Sequence, residues 1–138
     1  MLEPNQPLMK ELVQAYNLHD LDRAASLCAP DYVGIDVGRA EPHRGPDGMR
    51  AALADYLQAF PDLRVNLDET IFANDRVAQV WTATGTHRGL WMNIPATGRR
   101  VNIHGVSILT LADGKVQRGF YIWDVAGLLR SIGLLPEL

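Results

Sequence analysis

Apolar residues recur at helical spacing from Pro7 to about Asn17, with Leu8, Leu12 and Tyr16 in one row and Met9 and Val13 beside it. Pro7 suits the first turn of this helix, where a backbone N–H would have no partner. Asp20 then caps a second, short helix that carries Leu21, Ala24, Ala25 and Cys28 on one side. Ala29-Pro30 ends it, because the residue before a proline avoids the helical region. Tyr32, Val33, Ile35 and Val37 predict a brief strand, and the glycines and prolines of G-R-A-E-P-H-R-G-P-D-G predict a loop. Pro46 and Asp47 open a third helix with the stripe Met49, Leu53, Tyr56, Leu57 and Phe60, and Pro61 marks its end.

From Leu63 the period changes from helical to alternating. Val65, Leu67 and Ile71 share a face, Asn74-Asp75 makes a turn, and Arg76–His87 is a long strand rich in Val, Trp and Thr. Gly89–Gly98 is a loop carrying Trp91, Asn93 and Pro95. Two runs rich in Val, Ile, Phe and Tyr flank Asp113-Gly114, a strong hairpin signal. Val125–Ile132 closes the chain as a short helix with Gly133 at its C-cap. Helices first and antiparallel strands afterwards predict one α+β domain over residues 1–138, with helices packed on one face of a curved sheet. Such layers leave a concavity between them, a place where ligand pockets form.

Composition narrows the function. A net charge of -3 lacks the basic excess that a nucleic-acid surface needs. No apolar run approaches the roughly 18 residues of a membrane span, and M-L-E-P-N-Q-P does not read as a signal peptide. The expectation is a soluble, cytoplasmic domain whose single cysteine, Cys28, is a packed thiol. His19, His43, His87 and His104 are scattered and no H-E-x-x-H, paired C-x-x-C, phosphate loop or G-x-S-x-G elbow occurs, so no metal or cofactor is expected.

Two residues stand out in the last hairpin. Asp124 sits among Ile122, Trp123, Val125 and Leu128, at the edge of the most apolar segment. One reading makes it the N-cap of the closing helix. The other makes it a base in an apolar pocket, where burial raises a carboxyl's affinity for a proton and suits it to an acidic C–H. His104 lies mid-strand, on the parity of Asn102, Val106 and Ile108. It is either an ordinary strand histidine or, if it faces the concavity, a partner of that acid. Trp81, Trp91, Trp123, Tyr16, Tyr32 and Tyr56 read singly as core, and as a set they would line a pocket for a flat ring system.

The runs Phe60–Glu69, Asp75–Gly89, Ile94–Leu109 (I-P-A-T-G-R-R-V-N-I-H-G-V-S-I-L) and Asp113–Gly133 (D-G-K-V-Q-R-G-F-Y-I-W-D-V-A-G-L-L-R-S-I-G) resemble the SnoaL-like polyketide cyclases. That family lies within the nuclear-transport-factor-two-like superfamily of α+β cones. The resemblance implies a cone-shaped, mixed or antiparallel curved sheet with three N-terminal helices on its concave face. It implies intramolecular aldol ring closure of a polyketide or other hydrophobic carbonyl compound, without a cofactor. By resemblance, Asp124 of Y-I-W-D is the general acid/base, with His104 beside it. Tyr16, Tyr32, Asp36, Trp81, Trp91 and Asn93 are the substrate-binding candidates. Asp36, in Y-V-G-I-D-V-G-R, departs from the histidine or asparagine that many relatives carry. The resemblance also implies a homodimer or homotetramer. The same fold hosts isomerases, epoxide hydrolases (for which Asp36, Asp68 and Arg64 would have to converge), hydroxylases and non-catalytic binding modules.

Overall fold

The computed structural model describes residues 3–138. Helices α1 (Gln6–Asn17) and α2 (Leu21–Ser26) lead into strand β1 (Cys28–Asp36). A two-residue strand β2 (His43–Arg44), helix α3 (Gly45–Ala59), strands β3 (Arg64–Ala73), β4 (Arg76–Thr86), β5 (Arg100–Ala112) and β6 (Lys115–Trp123), and helix α4 (Val125–Ser131) follow. The six strands form one sheet in the order β2-β1-β6-β5-β4-β3. All neighbours are antiparallel except β1 and β6, which run parallel, so the sheet is mixed. This is the expected α+β class, with helices layered on one face of the sheet.

Local chemistry explains most of the elements. Asp20 accepts the Arg23 N–H and caps α2. Pro46 and Asp47 occupy the first turn of α3. Asp113 and Gly114 take φ of 52° and 73°, the left-handed pair that a two-residue hairpin requires. Gly133 follows α4 at φ 88°.

Three expectations change. First, the second helix stops at Ser26, and Cys28 begins β1 instead of lying on a helix. The Leu27 carbonyl accepts the Val116 N–H and draws the chain onto β6. Pro30 is tolerated inside β1 because the register to β6 shifts between Cys28 and Val33, where no ladder donor is needed. Second, the predicted loop contains β2, whose His43 and Arg44 pair with Gly34 and Val33. Third, a bulge in β3 between Leu67 and Glu69 reverses its parity. Val65 and Leu67 therefore face inward while Ile71 is 53% exposed, and Phe72 takes the core position.

Two apolar clusters form the interior. Met9, Leu12, Ala24, Met49, Leu109 and Val116 belong to one, at the α1–α3 side. Phe60, Trp91, Val101, Ile103, Leu128 and Ile132 belong to the other, where α4 meets β5. Cys28 is buried in the first, its thiol donating to the Ala24 carbonyl. Burial pushes this thiol up to about 12, against the pull of Lys115. We expect a thiol-exchange reagent at mildly alkaline pH to titrate no cysteine in the native protein and one in denaturant, because only a thiolate reacts.

Candidate active site

Between the helices and the inward face of the sheet lies a cavity of about 170 Å³. Its wall is mostly aliphatic and aromatic, including Leu12, Met49, Leu53, Val65, Ile103 and Leu128. Gly105 makes room for it, since a side chain there would run into the indole of Trp81 across the β4–β5 pair. Trp81 in turn donates its Nε1–H to Ser107 Oγ at 2.8 Å.

The carboxylate that faces this cavity is Asp36. It comes last in β1, on the inward parity set by Tyr32 and Gly34, and pairs in register with Tyr121 of β6. Three donors hold it: Gly38 N–H at 2.7 Å and Trp123 Nε1–H at 2.9 Å on Oδ1, and the Tyr56 hydroxyl at 2.8 Å on Oδ2. A carboxylate has about four acceptor sites, so one lone pair of Oδ2 remains for a ligand.

Beside Asp36 lies a group of buried rings. The Tyr32 hydroxyl is 2.6 Å from that of Tyr121 and 2.9 Å from His43 Nε2. His43 stacks on Tyr121 with centroids 5.9 Å apart. Burial holds the phenols of Tyr16, Tyr32, Tyr56 and Tyr121 above their usual range, and neighbouring Asp36 adds to this for Tyr56. These four are therefore neutral hydroxyls at physiological pH. Desolvation, then the Arg39 guanidinium, lower the His43 pKa, so its imidazole is held neutral as well.

The residues singled out in the sequence divide into three groups. Tyr16, Asp36 and Trp81 line the cavity, and Tyr32 is buried behind it against Tyr121 and His43. Trp91 and Asn93 lie in a second bowl with Gly38 and Arg39. Tyr56 lines both spaces, and Trp91 packs on Trp123 at 5.7 Å between centroids. Asp124 and His104 are corrections: neither reaches the cavity. Trp123 points inward, and Asp124 after it is exposed, its Oδ1 accepting the Gly127 N–H at 2.8 Å as the N-cap of α4. His104 is exposed on the opposite face of the sheet, 3.2 Å from Thr82 Oγ1, which donates to Asp68 at 2.6 Å. Asp68 is thus drawn away from Asp36, and the convergence an epoxide hydrolase would need is absent.

Sequence reasoning passed over Tyr121, His43, Ser107 and Gln79. Parity held a signal for Ser107, a polar residue in the buried series Val101, Ile103, Leu109. It held one for Tyr121 too, two residues before inward-facing Trp123. His43 gave none, because a two-residue strand leaves no pattern. The Asp124 cap yields a direct check. Asp124→Ala should cost about 1 kcal/mol of stability, as loss of an N-cap does, and chemical denaturation measures it.

An open mixed sheet, helices over one face, and an apolar chamber with one carboxylate in its lining among the described residues define the class of site. The SnoaL-like polyketide cyclase family model matches residues 6–132, and the chain belongs to that family. It is 28% identical over 136 residues to the aklanonic acid methyl ester cyclase DauD of Streptomyces sp. (strain C5), covering 96% of this chain and 83% of DauD. Among solved structures, it is 32% identical to AclR of Streptomyces galilaeus, provisionally assigned as a hydroxylase. The TM-score is 0.84, over 97% of this chain and 87% of AclR. TsrD of Streptomyces laurentii is 29% identical with a TM-score of 0.85, over 98% of this chain and all of TsrD (100%). No helix among the described residues is long and apolar enough to cross a membrane. Nor do those residues hold a group of three or more His, Cys, Asp or Glu side chains placed to bind a metal.

Proposed function

We propose that this protein closes a ring in a polyketide ester by an intramolecular aldol reaction, with Asp36 as the general acid/base. The observation that carries the reading is that Asp36, with three donors on a group that can accept about four, lines a chamber whose other walls are largely apolar. Asp36 takes a proton from a methylene flanked by two carbonyls. The enolate carbon attacks a carbonyl carbon of the same molecule, and the new alkoxide receives the proton back. One C–C bond forms, one C=O π bond opens, and composition is unchanged, so the reading calls for no cofactor.

Size constrains how the substrate sits. An apolar cavity of about 150 Å³ holds a benzene ring, so 170 Å³ seats the reacting ring and little more. The remainder of a polyketide then extends past Tyr56 toward the outer bowl.

Incubation with an aromatic polyketide methyl ester bearing a 1,3-dicarbonyl arm tests the proposal. A cyclised product of unchanged mass is expected, and an intact ester after prolonged incubation overturns it. The likeness to AclR favours one second reading, hydroxylation at the same acidified carbon by dioxygen, with an external two-electron reductant taking the second oxygen atom to water. That product would be heavier by one oxygen, so mass alone separates the two.

The helix-free face of the sheet supports self-association. Val37, Ile71, Phe120 and Ile122 are 40–53% exposed there, beside half-buried Val106 and Ile108. We read it as the contact between copies of this chain in a homo-oligomer.

A further inference from the structure

A mid-strand glycine lacks a side chain to pack and often marks a place where something approaches the backbone closely. Here two such glycines, Gly34 of β1 and Gly119 of β6, are register partners on the inward face. A side chain at Gly34 would strike the His43 imidazole and the Tyr32 hydroxyl, and one at Gly119 would strike the Tyr121 hydroxyl. The sheet therefore leaves a floor on which these three polar groups lie. Aliphatic side chains would fill that floor more simply.

The direction of the hydrogen bonds follows from what is left over. His43 Nδ1 is buried and meets no partner among the described residues. A proton there would be an orphaned N–H in the interior, whereas an unused lone pair is the less costly remainder. The neutral ring accordingly carries its proton on Nε2 and donates it to Tyr32. Tyr32 then donates to Tyr121, and the Tyr121 proton remains for the cavity. Tyr16 lines the same cavity as Tyr121. Each bond in such a chain polarises the next, so the last donor is strengthened.

We propose that the Tyr121 and Tyr16 hydroxyls, backed by Tyr32 and His43, form an oxyanion-binding site for the enolate or phenolate oxygen of a ring-sized ligand. The site deepens the cyclase reading, because Asp36 is the register neighbour of Tyr121. A proton leaves carbon toward Asp36 while the charge that develops on oxygen meets the phenols. Phenols whose own ionisation is suppressed stay donors throughout.

Binding tests this without turnover. The probe is 4-nitrophenol, whose ionised form is yellow, with 4-nitroanisole as a control of similar shape that cannot ionise. The wild-type protein should turn the bound phenol yellow at a pH one unit below the solution pKa of the phenol. Tyr121→Phe should weaken binding of the phenolate roughly tenfold or more, the scale of one hydrogen bond to a charged group, and leave 4-nitroanisole binding unchanged. Tyr32→Phe should weaken the phenolate by a smaller factor, since it removes only the backing donor. Asp36→Asn should tighten it, by removing a negative neighbour. A bound phenol that stays colourless, no binding at all, or an unchanged phenolate-to-anisole ratio in Tyr121→Phe overturns the proposal. Because the wild-type colour alone is decisive, a poorly folded variant does not blunt the test. An inactive enzyme that still binds phenolate would sink the cyclase reading and spare this one.

Discussion

Asp36→Asn is expected to lower kcat for ring closure by roughly 10²–10⁴-fold, the range attributed to a positioned acid/base. The substitution is close to isosteric. The Asn carbonyl oxygen can keep the Gly38 N–H and Trp123 Nε1–H donors, and its amide can donate to Tyr56, whose hydroxyl then turns from donor to acceptor. What disappears is the basic lone pair on the second oxygen. Melting temperature should therefore move little while turnover collapses, and product chromatography alongside thermal denaturation measures both. Activity within a few-fold of wild type would remove Asp36 from the reaction.

If copies of this chain meet through the helix-free face as proposed, Ile122→Glu is expected to convert the oligomer to a monomer. On the helix-free face Ile122 pairs in register with Val106, and neighbouring Phe120 pairs with Ile108. In a two-fold contact each copy would bring its own glutamate into the same apolar patch, so two unpaired charges would be desolvated together. A dissociation constant raised more than roughly a hundredfold is the expected scale. Ile122 is 46% exposed within one copy, so the fold itself should tolerate the change. Sedimentation at micromolar concentration with circular dichroism reads out both effects. A wild-type protein that sediments as a monomer would overturn the proposed contact.

Local signals made much of the fold legible in the sequence. Asp113-Gly114 demanded left-handed φ at two successive positions and received it, and Pro46-Asp47 opened α3 as first-turn chemistry predicts. The site was harder to read because its members meet through pairing that no local pattern encodes. Asp36 and Tyr121 lie far apart in sequence and become neighbours only through the parallel β1–β6 ladder. Asp124 misled for a physical reason: apolar neighbours in sequence are not neighbours in space when strand parity alternates. Trp123 goes in, so Asp124 goes out, and its preference for the N-cap takes over. The same rule puts His104 outside while Ile103 and Gly105 face the interior. The β3 bulge shows the limit of parity, since one extra residue exchanged Ile71 for Phe72.

The parallel pairing of β1 with β6 also sets a timetable. During synthesis the segment that carries the carboxylate leaves the ribosome well before the strand that completes the chamber. A nascent chain halted before Lys115 has Asp36 with no Tyr121 beside it and no Trp123 to hold it. Joining strands so distant along the chain is slow compared with closing a hairpin. The ring partners of Asp36 are therefore assembled only once β6 has been made.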